Sequence, residues 1–524
     1  MAPIDILATM ILLGAVLLAG TKLFPRARKK KTGPLPPGPK GLPLVGNVAD
    51  LPSGRIPEWE HWLRHRDLYG PISSVTALGT TIIILHSQEL ALALLEKRSS
   101  IYSSRTRLVF GGEMVGWGNT LPLQQYGKRF RAMRKAIHTM IGTQSAISAY
   151  FPLQETEVHR FLFRVLKHPD GLLAHIRTEA GAIILTMTYG YTINPHKPDP
   201  LVQLADTTLE QFSASTVAGR WLVDVIPALR YIPDWMPGAG FKRTAKNWRA
   251  KLIEITETPI RFTEKLMAEG NCRKSYVTDF YKDTGENLSL EQNYILKWTA
   301  ISLYGGGADT TFFLAMTLYP EVQRKAQEEI DSVTGSFRLP TFSDREKLPY
   351  VEAIVTETWR WHPVAPMGVA HAASVDDSIN GYHIPKGSII IPNIWWFTHD
   401  PAVYPNPLIF NPSRYLGPNP APDPRNYVFG YGRRICPGRY LADSSVWLTV
   451  AQSLAVFVVG KGLDNSGREI EPAVLFTPGV ISHPEPFHAT INPRSPKHEA
   501  LILEVEKLHP WEKSNADELE GTVA

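Results

Sequence analysis

The segment FGYGRRICPGR, from Phe429 to Arg439, carries the most concentrated chemistry in the chain. Phe429, Gly432, Arg434, Cys436 and Gly438 fall in the spacing F-x-x-G-x-R-x-C-x-G. A thiolate from Cys436 can ligate haem iron and push electron density onto it, which favours O–O cleavage. Glycines let a backbone pass close to a flat macrocycle, and amide donors together with Arg434 can stabilise the sulfur and a carboxylate of the ring. The only other cysteine, Cys272, sits in the polar stretch GNCRKS and reads as a surface thiol. Two cysteines exclude both a disulfide-stapled scaffold and a zinc site built from Cys pairs.

Two further groups lie upstream. In ETWR, Glu357 and Arg360 stand at i and i+3, so on a helix they share a face and can pair. In GGADTT, Gly306 and Gly307 allow a long helix to open. An acid next to an alcohol, Asp309 and Thr310, can relay protons through water. In this order the motifs resemble those of the cytochrome P450 family, haem-thiolate monooxygenases of the microsomal type. The resemblance covers essentially the whole chain, and its phrasing is similar to fungal enzymes of secondary metabolism and xenobiotic oxidation, of the O-methylsterigmatocystin oxidoreductase-like kind.

The resemblance implies a mainly α fold with small β-sheets and a single N-terminal transmembrane helix. It implies haem (heme b) with Cys436 as axial ligand to the iron, and Thr310 with Asp309 delivering protons to dioxygen. Arg134, in YGKRFRAMRK, and Arg434 would hold haem propionates, with His371, in PMGVAHAAS, as another contact; Phe130 stands where the family usually has Trp. Arg414, in PSRY, would join Glu357 and Arg360 in a structural cluster behind the haem. Electrons would come from NADPH through a membrane-bound reductase, with cytochrome b5 as a further partner. The reaction would place one oxygen atom into a lipophilic small molecule by hydroxylation or epoxidation. The pocket would be lined from Arg105 to Leu121, Ile301 to Gly305, Pro366 to Val369 and Phe476 to Ile481.

The chain also departs from the family. The family helix continues about one and a half turns beyond the position of Thr311, whereas here Pro320 follows nine residues later. A deficit of that size would draw the next helix roughly 8 Å closer and rotate its face. A second expectation follows: a haem-thiolate protein whose monooxygenase activity is impaired, or whose reaction is another one.

These residues need a large scaffold, and a chain of 524 residues with 44% apolar and 20% charged positions can supply its core. From about Gln125 to Pro340 the periodicity is helical, as in LQETEVHRFLFRVLKH and PEVQRKAQEEIDSV. Residues Ser73–His86 predict a hairpin turning near Gly79, and GYHIPKGSIII predicts strand, turn and strand.

The run from Ile4 to Phe24 has 21 residues, roughly 31 Å as a helix, which matches a bilayer core. Lys22 near its end and Arg26, Arg28, Lys29, Lys30 and Lys31 behind it account for more than the whole net charge of +5. No basic surface for nucleic acid is therefore indicated. The expected organisation is an anchor at 1–24, a basic and Pro-rich hinge at 25–47, and a haem-thiolate catalytic domain at 48–524. The expected location is the endoplasmic reticulum membrane, with the catalytic domain in the cytosol.

Overall fold

The structure is a computed structural model that describes residues 33–52, 56–217, 219–304 and 310–519. The expected transmembrane helix lies outside these residues, as do Gly306, Gly307 and Asp309. Among the described residues no helix is long and apolar enough to cross a membrane.

Helices dominate. Those of eight residues or more are α1 (Glu58–Tyr69), α2 (Lys128–Ile141), α3 (Phe151–Lys167), α4 (Leu172–Tyr189), α5 (Pro200–Thr216), α6 (Gly240–Ala268), α7 (Tyr276–Thr284), α8 (Leu290–Tyr304), α9 (Thr311–Leu318), α10 (Pro320–Thr334), α11 (Pro349–Trp361), α12 (Arg439–Val456) and α13 (Pro496–Leu503). Amphipathic spacing explains most of them. Phe130, Met133, Ile137 and Ile141 of α2 are buried at intervals of a helical turn, and Val158, Phe161, Leu162 and Val165 of α3 repeat the pattern. In α9 every residue from Thr311 to Thr317 is buried, so this short helix is enclosed on all sides.

The strands form three small sheets. The largest joins β1 (Ile72–Ala77), β2 (Thr80–Leu85), β7 (Ile389–Pro392), β4 (His371–Ala372) and β3 (Ser104–Arg105) in the order β1-β2-β7-β4-β3. The predicted hairpin is β1–β2, and its turn holds Leu78 and Gly79 at positive φ. The GYHIPKGSIII stretch does give two strands, β6 (Tyr382–Ile384) and β7, but they do not pair with each other. β6 pairs with β5 (Asp377–Ile379), while β7 runs parallel to β2 and antiparallel to β4. The β4–β3 register sets His371 opposite Arg105, which brings together residues far apart in the sequence.

Two apolar cores divide the helices. One gathers α2, α4, α5, α6 and α8 around Phe130, Ile183, Phe262 and Leu303; the other gathers α3, α9, α10, α11 and α12 around Phe161, Phe313, Val351 and Trp447. α8 and α9, adjacent in sequence, thus belong to different cores.

Candidate active site

The cysteine segment is a series of tight turns ahead of α12. Arg434 N–H donates to the Tyr431 carbonyl (2.9 Å), Ile435 N–H to Gly432 (3.2 Å) and Cys436 N–H back to Phe429 (2.7 Å). Gly432 has φ +49°, and a Cβ there would meet the Leu95 carbonyl oxygen at 2.7 Å. Its N–H donates to Glu96 Oε2 at 2.5 Å. This glycine therefore serves close packing against residues 95–99, which the spacing alone does not reveal. Gly438 caps the start of α12, and Phe429 lies against Trp359 with ring centroids 5.2 Å apart.

Cys436 is half-buried. Burial pushes the thiol pKa up, while the Gly438 N–H and the charges of Arg134 and Arg439 oppose that rise. Arg134, on α2, donates to the Ile435 carbonyl, so it grips the backbone immediately before the cysteine.

Around this loop the structure collects buried cations that have no carboxylate partner among the described residues. Arg434 donates from Nε to Ser103 O (2.7 Å), from Nη1 to Leu121 O (3.2 Å) and from Nη2 to Gln124 O (2.6 Å), with its guanidinium 3.8 Å above the Phe130 ring. Arg105 donates to Pro122 O (2.8 Å), Val369 O (2.5 Å) and Ala370 O (3.1 Å). His371 hydrogen-bonds through Nδ1 to the Tyr102 carbonyl at 2.7 Å. Burial drives the Arg434 guanidinium down to about 9, with Arg134 adding to the fall, and lowers Arg105 well below the usual arginine range, with Arg434 adding. Burial likewise holds His371 neutral, helped by Arg105 and Arg434.

Buried charge is costly unless compensated, and backbone carbonyls compensate it only in part. A group bringing its own carboxylates to this place would relieve the strain on all three arginines. A half-buried thiol beside arginines that have no carboxylate partner among the described residues is the donor set that haem needs, sulfur for iron and guanidinium for propionate. The residues present fit that group.

Arg105 was expected only at the edge of a pocket-lining segment. Sequence reading does not separate it from Arg107, two residues away, which is exposed and pairs with Glu113. The distinction is made by the β3–β4 pairing.

Behind the loop, Glu357 and Arg360 are both 0% exposed and form a two-pronged pair, Nε to Oε2 at 2.7 Å and Nη2 to Oε1 at 2.9 Å. Arg414 Nε donates to Glu357 Oε1 at 3.1 Å, and Asn411 N–H to the same oxygen at 2.8 Å. Arg360 Nη1 donates to the Thr398 carbonyl at 2.9 Å. A second ring follows: Arg425 bridges Glu352 of α11 (2.9 Å) and Asp443 of α12 (2.8 Å), and Arg345 reaches the same two acids. These pairs fasten α11 and α12 on either side of the cysteine loop.

The other side is different. α8 is described as far as Tyr304, and α9 starts at Thr311 with Thr310 at its N-cap. Thr310 is buried, and its Oγ1 has no hydrogen-bond partner among the described residues. α8 is tied to residues 117–121 instead: Leu121 N–H donates to Ser302 Oγ (3.0 Å) and Tyr294 OH to Asn119 Oδ1 (3.0 Å).

Thr310 and Tyr304 line a cavity of about 620 Å³ with Thr477, Pro478 and Ile481 of the expected lining. Its other walls are α4 and α5, which the sequence reading did not include. Val115, Gly116 and Asn119 line a second cavity of about 370 Å³ against α6 and α8. Residues 366–369 line neither, and Cys436 lines neither.

Comparison with known proteins agrees with this arrangement. A family model described as Cytochrome P450 matches residues 36–489. The chain is 48% identical to "Cytochrome P450 monooxygenase claR" of Ampulloclitocybe clavipes over 494 residues, 93% of this chain and 91% of that protein. It is 45% identical to "Cytochrome P450 monooxygenase CLM2" of Gibberella zeae, over 97% of this chain and 99% of that one. It is 39% identical to an O-methylsterigmatocystin oxidoreductase of Aspergillus flavus over 95% of both.

Proposed function

Since the chain belongs to the cytochrome P450 family, we propose that it is a haem-dependent monooxygenase placing one atom of dioxygen into a lipophilic small molecule. The outcome is hydroxylation or epoxidation, the second oxygen leaves as water, and NADPH supplies electrons through a membrane-bound reductase. Fungal secondary metabolism or xenobiotic oxidation is the setting that the relatives' kinds support. The apolar run at 4–24 supports anchorage to the endoplasmic reticulum membrane.

Haem, when bound, supplies the iron at which dioxygen is activated. Cys436 would ligate the iron; the Gly438 N–H and the charges of Arg134 and Arg439 favour the thiolate that ligation requires. Arg105, Arg134 and Arg434 would hold the propionates. Glu357, Arg360 and Arg414 keep the proximal frame rigid without touching the cofactor. Thr310 moves a proton at Oγ1, with Asp309 as its source. The observation that carries this reading is the half-buried Cys436 beside Arg105, Arg134 and Arg434, which bond backbone carbonyls and have no carboxylate partner among the described residues.

A second reading has its own support. The short run of nine residues from Thr311 to Pro320, with Thr310 in a cavity that Cys436 does not line, fits a haem-thiolate protein of impaired or different activity. One experiment separates the two. The carbon monoxide difference spectrum of the reduced protein should show the thiolate-ligated haem band in either case. NADPH consumption with added reductase and lipophilic substrates should follow only under the first reading. Absence of the thiolate band would defeat both.

A further inference from the structure

We propose that Glu96 is a positioning residue for Cys436, its carboxylate holding the cysteine loop at Gly432 in the shape that presents the thiolate to iron. The inference rests on the haem-thiolate reading above and adds a residue 336 positions upstream of Gly432, outside the motifs that the sequence presents. Glu96 lies in a π-helical turn, Leu92–Lys97, whose Leu94 and Leu95 are buried. Such turns are rare and occur frequently at functional sites.

Two side chains of opposite charge grip the loop's backbone from outside. Arg134 donates to the Ile435 carbonyl, and Glu96 Oε2 accepts from the Gly432 N–H at 2.5 Å. Between these points the backbone is closed on itself, since Ile435 N–H donates to the Gly432 carbonyl at 3.2 Å. Cys436 follows Ile435 directly, so a displacement at Gly432 is passed on to the residue that carries the sulfur. An amide bonded to a carboxylate makes a shorter bond, about twice as strong as a neutral one. Glu96 forms no ion pair among the described residues that would compete for its charge. The contact leaves little slack: a Cβ on Gly432 would also meet Ser99 Cβ at 3.0 Å and Glu96 Cα at 3.4 Å. The same stretch reaches Arg434, whose Nε donates to the Ser103 carbonyl at 2.7 Å. Burial pushes the Tyr431 phenol up and the Glu96 charge adds to the rise, which sets that charge beside the residue preceding Gly432. Groups that orient a metal ligand without touching the metal are commonly worth on the order of 10-fold or more in binding or activity.

Glu96→Ala and Glu96→Gln are compared with the parent as full-length chains with haem bound. After reduction under carbon monoxide, the thiolate band of Glu96→Ala should decay about tenfold faster than the parent's. Glu96→Gln keeps an oxygen acceptor at the same reach and should recover most of that lifetime, less the share that the charge contributes. Amide hydrogen exchange in peptides covering 429–436 should be faster in Glu96→Ala and restored in Glu96→Gln. The melting temperatures of the haem-free chains should match the parent's, because Glu96 is exposed. A Glu96→Ala band as long-lived as the parent's, unchanged exchange at 429–436, or a Glu96→Gln no better than Glu96→Ala would overturn the proposal. So would a haem-free Glu96→Ala that melts low enough to account for the faster decay. A parent without the thiolate band would defeat the haem reading instead, and exchange at 429–436 then decides whether Glu96 holds the loop.

Discussion

The two sides of the cysteine loop are built on opposite terms. On the proximal side Glu357, fully buried, accepts from Arg360, Arg414 and the Asn411 backbone, and Arg425 and Arg345 repeat the pattern between α11 and α12. Each charge there is matched by residues from another part of the chain. On the distal side α8 and α9 sit in separate apolar cores, and Thr310, between them, has a buried hydroxyl without a partner among the described residues. Motif-level likeness to one family therefore conceals different degrees of constraint. The proximal frame specifies one geometry because a mismatch would strand a charge, whereas the distal helix is positioned by apolar packing that tolerates a change of length.

The largest effect should come from breaking the proximal frame. Glu357→Ala strands Arg360 and Arg414 and should cost about 3–5 kcal/mol, a large part of a typical stability margin. Little haem-loaded protein should be recovered, and the melting temperature of what remains should fall. A variant that melts like the parent would erase the contrast between the two sides.

Lengthening the distal side should act on turnover alone. Inserting about six helix-forming residues after Thr311 adds roughly one and a half turns. Because displacement of a reacting group by about 1 Å can cost on the order of 100-fold, NADPH consumption with reductase should rise by up to that factor. The thiolate band should stay as it was. Unchanged consumption would mean that the shortfall after Thr311 does not limit the reaction.

A smaller and two-signed effect is expected at Arg105. Arg105→Met removes one charge-assisted contact to a propionate, and haem should dissociate about tenfold faster. The haem-free chain should melt no lower than the parent, since a buried cation without a carboxylate has been removed. Slower haem loss, or a clearly less stable haem-free chain, would show that Arg105 is part of the frame instead.

The smallest change should be Phe130→Trp. Indole improves the stacking under the Arg434 guanidinium by about 1 kcal/mol or less, partly offset by crowding in a buried position. Haem dissociation should slow by no more than a few-fold, and a larger change would mark Phe130 as a principal weakness of the proximal side.

Much of the proximal side was readable one segment at a time. The cysteine spacing, the Glu357–Arg360 face and the helical run that places Arg134 all depend on local periodicity. Other features were not readable in that way. The two strands of GYHIPKGSIII were legible, but not that β7 would leave its neighbour for β2 and β4. The close contact of Gly432 with Leu95 was not legible in the spacing.

The sequence by itself determined the haem-thiolate chemistry, the helices that carry it and the shortfall after Thr311, because residue type and period are local properties. Tertiary structure alone decided which of Arg105 and Arg107 is buried, since β3 pairs with β4 and sets Arg105 against His371. It also decided that α4 and α5 enclose the cavity holding Thr310. Such outcomes depend on pairings between distant segments, where burial and charge compensation are settled by the whole fold, and no window of sequence contains both partners.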